Sequence, residues 1–169
     1  LPAVRVSNEA IGNLRADVAK TMRLPPGIPV AIGGGDNMMA AIGTANVVPG
    51  RMTISLGTSG TVFAYSSEPV VDPRGEIAAF CSSTGGWLPL LCTMNCTVAT
   101  DLVRRFLVTE IGALDAALDM SCAGADGVTT VPFFSGERTP NLPTSRGAFF
   151  GISPDNLTPQ NLLRATVEG

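Results

Sequence analysis

The chain has 169 residues, of which 45% are hydrophobic and 15% charged, with a formal net charge of −3 and a pI near 4.8. That length suits one domain or parts of two, and the composition excludes a disordered chain and gives no basic footprint for nucleic acid. No apolar run approaches the roughly 20 residues of a membrane-spanning helix, and the chain contains no histidine, which removes Ser-His-Asp and Cys-His catalysis.

Any general base must therefore be a carboxylate or Lys20, the only lysine. The four cysteines (Cys81, Cys92, Cys96 and Cys122) are scattered. Cys92 and Cys96 could share a helix face, but no further ligand lies at zinc-site spacing, so small buried thiols are expected and no metal ligand is assigned. With no initiator Met and no signal peptide, Leu1 and Gly169 read as cuts within a longer chain.

Residues 7–23 carry Ile11, Leu14, Val18 and Met22 at helical spacing behind a capping Ser7 or Asn8, which predicts a helix. IPVAI (28–32) predicts a short strand buried on both faces, running into Gly33-Gly34-Gly35-Asp36. Residues 37–46 suit a close-packed helix ended by Pro49-Gly50, where a soft domain boundary is placed. RMTISLGTSGTVFAYSS (51–67) predicts a hairpin turning at Gly57-Thr58-Ser59-Gly60, and EPVVDPRGE (68–76) a turn-rich loop. IAAFCSS and WLPLLC form a second strand pair around Thr84-Gly85-Gly86. Helices are expected over 95–108 and 111–123, a buried strand over 128–134, a polar loop over 135–147, and a short strand at AFFGIS. Thr158-Pro159 opens a last helix, with Thr as N-cap and Pro at the first helical position. The whole reads as an α/β fold with a mixed sheet and flanking helices.

Three segments could carry chemistry. At residues 33–36 a glycine run lets a ligand or backbone approach closely and ends in an acid, although a plain helix cap at Asp36 is the simpler reading of those residues. In Ser55-Leu56-Gly57-Thr58-Ser59-Gly60 backbone N–H and hydroxyl groups converge, an arrangement able to cradle phosphate, although a plain hairpin is the simpler reading of those residues. Glu137 and Arg138 in SGERTP read as a solvated pair on a surface loop, worth little by itself, with a structural role for the pair as the alternative and no chemical step assigned.

Taken in order, GGGDN, ISLGTSG, PFFSGERTP and RGAFFGI resemble the FGGY carbohydrate kinases, a branch of the actin/hexokinase-like ATPase fold (ribonuclease H-like). After Gly147-Ala148-Phe149-Phe150-Gly151-Ile152, a spacer of eight residues leads to Asn161-Leu162-Leu163-Arg164-Ala165-Thr166-Val167-Glu168, similar to the second family signature. Within the family SLGTSG and SGERTP look most like the kinases of xylulose, with ribulose, gluconate and glycerol kinases as near alternatives. A non-catalytic actin-like nucleotide-binding module is the alternative from another class.

The resemblance implies a cytoplasmic enzyme that uses ATP and Mg²⁺ to phosphorylate a sugar, without nucleic-acid or membrane partners and with a homodimer left open. It implies Asp36 as proton acceptor for the attacking hydroxyl, and Asn37 as a contact to sugar or to metal-bound water. It implies Gly57, Thr58, Ser59 and Gly60 as the turn that holds the β- and γ-phosphates of ATP. Residues 1–48 would end the sugar-binding domain and 49–169 would begin the nucleotide-binding domain. The family's first phosphate turn, most sugar contacts and the adenine segment would lie outside Leu1 to Gly169, so this piece alone is expected not to turn over.

Overall fold

A computed structural model describes residues 3–107 and 110–169; Leu1 and Val108, the latter ending the predicted helix 95–108, lie outside the described residues. The elements in chain order are β1 (Ala10–Asn13), α1 (Ala16–Met22), β2 (Pro29–Ala31), α2 (Asp36–Gly43), β3 (Met52–Leu56), β4 (Gly60–Ala64), β5 (Ala78–Cys81) and β6 (Trp87–Thr93), followed by α3 (Thr97–Phe106), α4 (Ala113–Asp119), β7 (Thr129–Val131), β8 (Ala148–Phe150) and α5 (Pro159–Glu168). The chain divides into two compact units: residues up to 53 with 63–90, and residues 54–62 with those from 91 onward. Strands β3, β4, β6 and β5 form a four-stranded sheet in that order, and the unit boundaries fall inside β3, β4 and β6.

In the first unit the predicted helix over 7–23 begins only at Ala16, because residues 10–13 are a strand. β1 pairs antiparallel with β2, Ala10 opposite Ala31 and Asn13 opposite Pro29. The ribbon extends beyond the strands through Gly33 N donating to Ser7 O (2.9 Å) and Leu14 N to Ile28 O (2.8 Å). Gly12 and Asn13 are poor helix formers, so backbone pairing with β2 outcompetes the helical spacing of Ile11 and Leu14. β2 is a strand, as expected, but all of it is exposed, since a two-stranded ribbon supplies no second layer over Val30.

Just beyond α2, Asn46 is 1% exposed. Its Nδ2 donates to Phe63 O (3.0 Å) and Thr53 Oγ1 (3.1 Å), and its Oδ1 accepts from Tyr65 N (3.0 Å). One buried amide thus ties the end of α2 to β3 and β4, beside the buried Phe63. The second predicted strand pair forms, with β5 antiparallel to β6 from Ala78 opposite Leu90 to Cys81 opposite Trp87. Asp72 organises the loop at 68–76: its carboxylate accepts from the backbone N–H of Arg74, Glu76 and Ile77.

In the second unit α3, α4 and α5 bury Val103, Ala117 and Leu163 together, with Leu114, Phe134 and Phe149 packed against them. β7 pairs antiparallel with β8. It is shorter than the predicted 128–134 because Pro132 has no N–H to continue a ladder. α5 starts where the sequence places it. Thr158 Oγ1 accepts from Asn161 N at 3.2 Å, with Pro159 in the first turn. Burying Leu163 stabilises by about 1.5–3 kcal/mol and the cap by about 1 kcal/mol, so packing holds the helix while the cap sets its first residue. Thr158→Ala is expected to lower the thermal unfolding midpoint of the full-length protein through that ~1 kcal/mol loss. Thr158→Ser, which keeps the acceptor oxygen, is expected to leave the midpoint nearly unchanged.

Candidate active site

In the first unit Gly33, Gly34 and Gly35 connect the β1–β2 ribbon to α2. A Cβ on Gly34 would sit 2.3 Å from Ser83 Oγ and 2.8 Å from Met39 Cε, so the absent side chain makes room for the protein's own packing. Gly35 takes the N-cap position and Asp36 is the first helical residue. The plain cap reading of Asp36 is therefore not what forms, because the capping position belongs to a residue without a side chain. Asp36 is exposed, and its Oδ1 accepts from Asn37 N at 2.8 Å. A negative charge in a first turn is favoured by the helix dipole by about 0.3–1 kcal/mol. Asn37, beside it, is half-buried. A cleft of about 370 Å³ opens next to this turn, bordered by Arg5, Ser7, Gly34, Gly35, Ser82 and Ser83.

In the second unit Gly57, Thr58 and Ser59 form the exposed tip of the β3–β4 hairpin, and Gly60 opens β4. The turn is bolted to the start of α3. Gly57 O accepts from Thr97 N (3.0 Å) and Thr97 Oγ1 (2.8 Å); Thr58 O accepts from Cys96 N (3.3 Å) and Val98 N (3.4 Å). The first amides of a helix have no intrahelical partner, and here the turn's carbonyls satisfy them. A Cβ on Gly60 would lie 2.9 Å from Thr93 Oγ1 and 3.5 Å from Cys96 Cβ, so only glycine lets β4 start this close to the segment before α3. The carbonyls of Gly57 and Thr58 are turned toward α3, and Thr58 and Ser59 are exposed.

The sequence reading of Glu137 and Arg138 as a solvated pair is incorrect. Glu137 is 3% exposed. Its carboxylate accepts from the backbone N–H of Met94, Asn95 (3.3 Å) and Arg138 (2.7 Å), and from Asn95 Nδ2 (3.0 Å). Arg138 is exposed and turns its Nη1 toward Cys92 Sγ at 3.5 Å. Burial pushes the Glu137 carboxyl up, but the hydrogen bonds from Asn95, Met94 and Arg138 outweigh it and hold the group below the usual glutamate range. Asn95, to which sequence reasoning gave no role, is the companion residue: its Nδ2 also donates to Gly136 O at 2.6 Å. The signal for Glu137 was a charge shortly after the apolar stretch PFF, in PFFSGE, where a solvated loop is the default reading; nothing of the kind marked Asn95.

The cysteines differ from expectation. Cys92 lies in β6 and Cys96 precedes α3, so they share no helix face, and Cys81 and Cys122 are exposed thiols. Among the described residues no group of three or more Cys, Asp or Glu could hold a metal ion, and no helix is long and apolar enough to cross a membrane.

Residues 52–169 match the model of the FGGY family of carbohydrate kinases, C-terminal domain, and residues 1–43 match that family's N-terminal domain. The xylulose kinase of Haemophilus influenzae is 41% identical over 168 residues, covering 99% of this chain and 34% of that protein. The crystal structure of xylulose kinase from Bifidobacterium adolescentis is 42% identical with a TM-score of 0.76, covering 86% of this chain and 29% of the other. That of ligand-bound xylulose kinase from Lactobacillus acidophilus, at 19% identity, has a TM-score of 0.90 over 99% of this chain and 35% of the other. The fold is thus part of the actin/hexokinase-like ATPase fold, in an α/β chain whose β1–β2, β5–β6 and β7–β8 pairs are antiparallel. The chain spans about a third of the length of the curated relatives it matches.

Because the folded state lowers the Glu137 pKa, the carboxylate's stabilisation is fully present above the ordinary glutamate value and is lost as pH falls through the lower folded value. Glu137→Gln is therefore expected to destabilise the full-length protein most at neutral pH, with the gap to wild type closing in acid. Urea unfolding midpoints of both proteins from about pH 7 to about pH 2 check this; a gap that stays constant with pH contradicts it.

Proposed function

Because the chain belongs to the FGGY family of carbohydrate kinases, we propose that the protein carrying it phosphorylates a sugar with ATP, converting D-xylulose to D-xylulose 5-phosphate. The observation that carries the choice of sugar is the 41% identity to a xylulose kinase across nearly the whole chain. Gluconate and glycerol kinases are similar in fold at 19% and 16% identity, which shows fold alone.

In this reading Asp36 is the general base. A substrate hydroxyl attacks the γ-phosphorus of ATP, the new O–P bond forms as the bond to the β-phosphate oxygen breaks, and the hydroxyl proton passes to the Asp36 carboxylate as ADP leaves. The exposure of Asp36 and its place at a helix start support the role, since the carboxylate is open to a hydroxyl on its outer side. Asn37 orients sugar or metal-bound water. Gly57, Thr58, Ser59 and Gly60 hold the β- and γ-phosphates with the hydroxyls and amides of the hairpin tip.

ATP would come with Mg²⁺, and Asn37, half-buried beside the exposed Asp36, would face one of that ion's waters. That ion is typically held by one or two carboxylates, waters and the nucleotide's own phosphates, and a dedicated protein cage is not required. Mg²⁺ supplies neutralisation of phosphate charge when bound. Residues 1–48 end the sugar-binding domain and 49–169 begin the nucleotide-binding domain in this assignment. The enzyme is cytoplasmic and works on small molecules without nucleic acid or membrane, with a homodimer left open. The 169-residue piece alone does not turn over, because a kinase cleft must close on both substrates and exclude water.

Asp36→Asn in the full-length protein is expected to lower kcat for D-xylulose by about 10²–10⁴-fold while ATP binding by calorimetry stays within about threefold, since uncharged Asn keeps the shape. Near-normal phosphorylation by this variant would sink the base assignment. A panel of xylulose, ribulose, gluconate and glycerol with wild-type enzyme, read as ADP release, decides the sugar.

A further inference from the structure

The SGERTP loop has no step in the proposed reaction, yet it holds the best-buried acid of the chain. Glu137 fastens Met94 and Asn95 by their backbone N–H groups, and Asn95 a second time by its side chain. The next two residues, Cys96 and Thr97, are the ones whose N–H groups hold Thr58 O and Gly57 O. The same stretch presents Thr93 Oγ1 and Cys96 Cβ to the bare α-carbon of Gly60. A continuous relay therefore runs from the Glu137 carboxylate through residues 94–97 to three of the four residues of the turn, all within the second unit.

We propose that Glu137 is a positioning residue for the phosphate turn: its buried carboxylate fixes Met94 and Asn95, and so sets where Cys96 and Thr97 hold the backbone of Gly57 and Thr58. The inference rests on the reading of that turn as the ATP phosphate site. Its chemistry follows from rigidity. A carboxylate accepting several N–H bonds locks a non-repetitive stretch that regular structure leaves unfixed. A turn that grips phosphate by backbone needs its amides fixed before ATP arrives. An amide at the same position turns an NH₂ toward donors, which loosens the relay without emptying the space.

The test is Glu137→Gln in the full-length protein, read in two ways. Amide hydrogen exchange should accelerate at residues 96–98 and leave α5 unchanged. KM for ATP should rise about tenfold, with KM for the sugar within about twofold, because the relay ends at the phosphate turn. A role in stability alone would lower the unfolding midpoint without splitting the two KM values. Unchanged exchange at 96–98, or an equal rise in both KM values, overturns the proposal. Should Glu137→Gln not accumulate as folded protein, Thr97→Val carries the test, since it removes the hydroxyl bond to Gly57 O one link nearer the turn; an unchanged KM for ATP there overturns it as well. If wild type shows no ATP-dependent phosphorylation, the kinase reading fails, while the exchange data still decide the positioning.

Discussion

Helix α3 starts with amides that no turn of helix can satisfy, and the carbonyls of Gly57 and Thr58 are what they find. This exchange fixes two things at once. It completes the helix start, for which Cys96 offers no capping side chain, and it holds the hairpin tip by the carbonyls of Gly57 and Thr58. Much of the second unit is built around the same helix: Val103, one turn and a half further on, enters the cluster with Ala117 and Leu163 that joins the three helices. The turn and the core are thus two ends of one rigid rod.

Carboxylates serve three different ends in this chain. Asp72 folds a loop around itself, Glu137 fixes a stretch of backbone from a buried position, and Asp36 stands exposed at a helix start. The difference lies in what accepts or donates around each one. Glu137 is saturated by donors, so it suits support better than proton transfer. Asp36 accepts from its neighbour's amide with one oxygen and stands exposed, in keeping with the proposed role of base.

Much of this was legible in residues alone. The hairpin at 57–60, the strand pair around Gly85-Gly86, and the Thr158-Pro159 helix start follow from turn and capping chemistry, which acts over a few residues and is written locally. The failures were long-range. Residues 7–23 have helical spacing, but their first half is claimed by backbone pairing with residues 28–33, which no local pattern announces. Glu137 looked solvated because its donors on Met94 and Asn95 lie more than forty residues earlier in the chain. The order of GGGDN, SLGTSG and SGERTP carried the family, though each motif alone read as an ordinary turn.

The donors around Glu137 have a consequence for the conditions under which the turn holds its shape. Ion pairs such as Arg15 with Asp17, both largely exposed, weaken as mobile ions screen them. Glu137 is held by amide N–H groups in a water-poor setting, where counterions have little entry. The scaffold beneath the hairpin accordingly depends less on ionic strength than an exposed ion pair does.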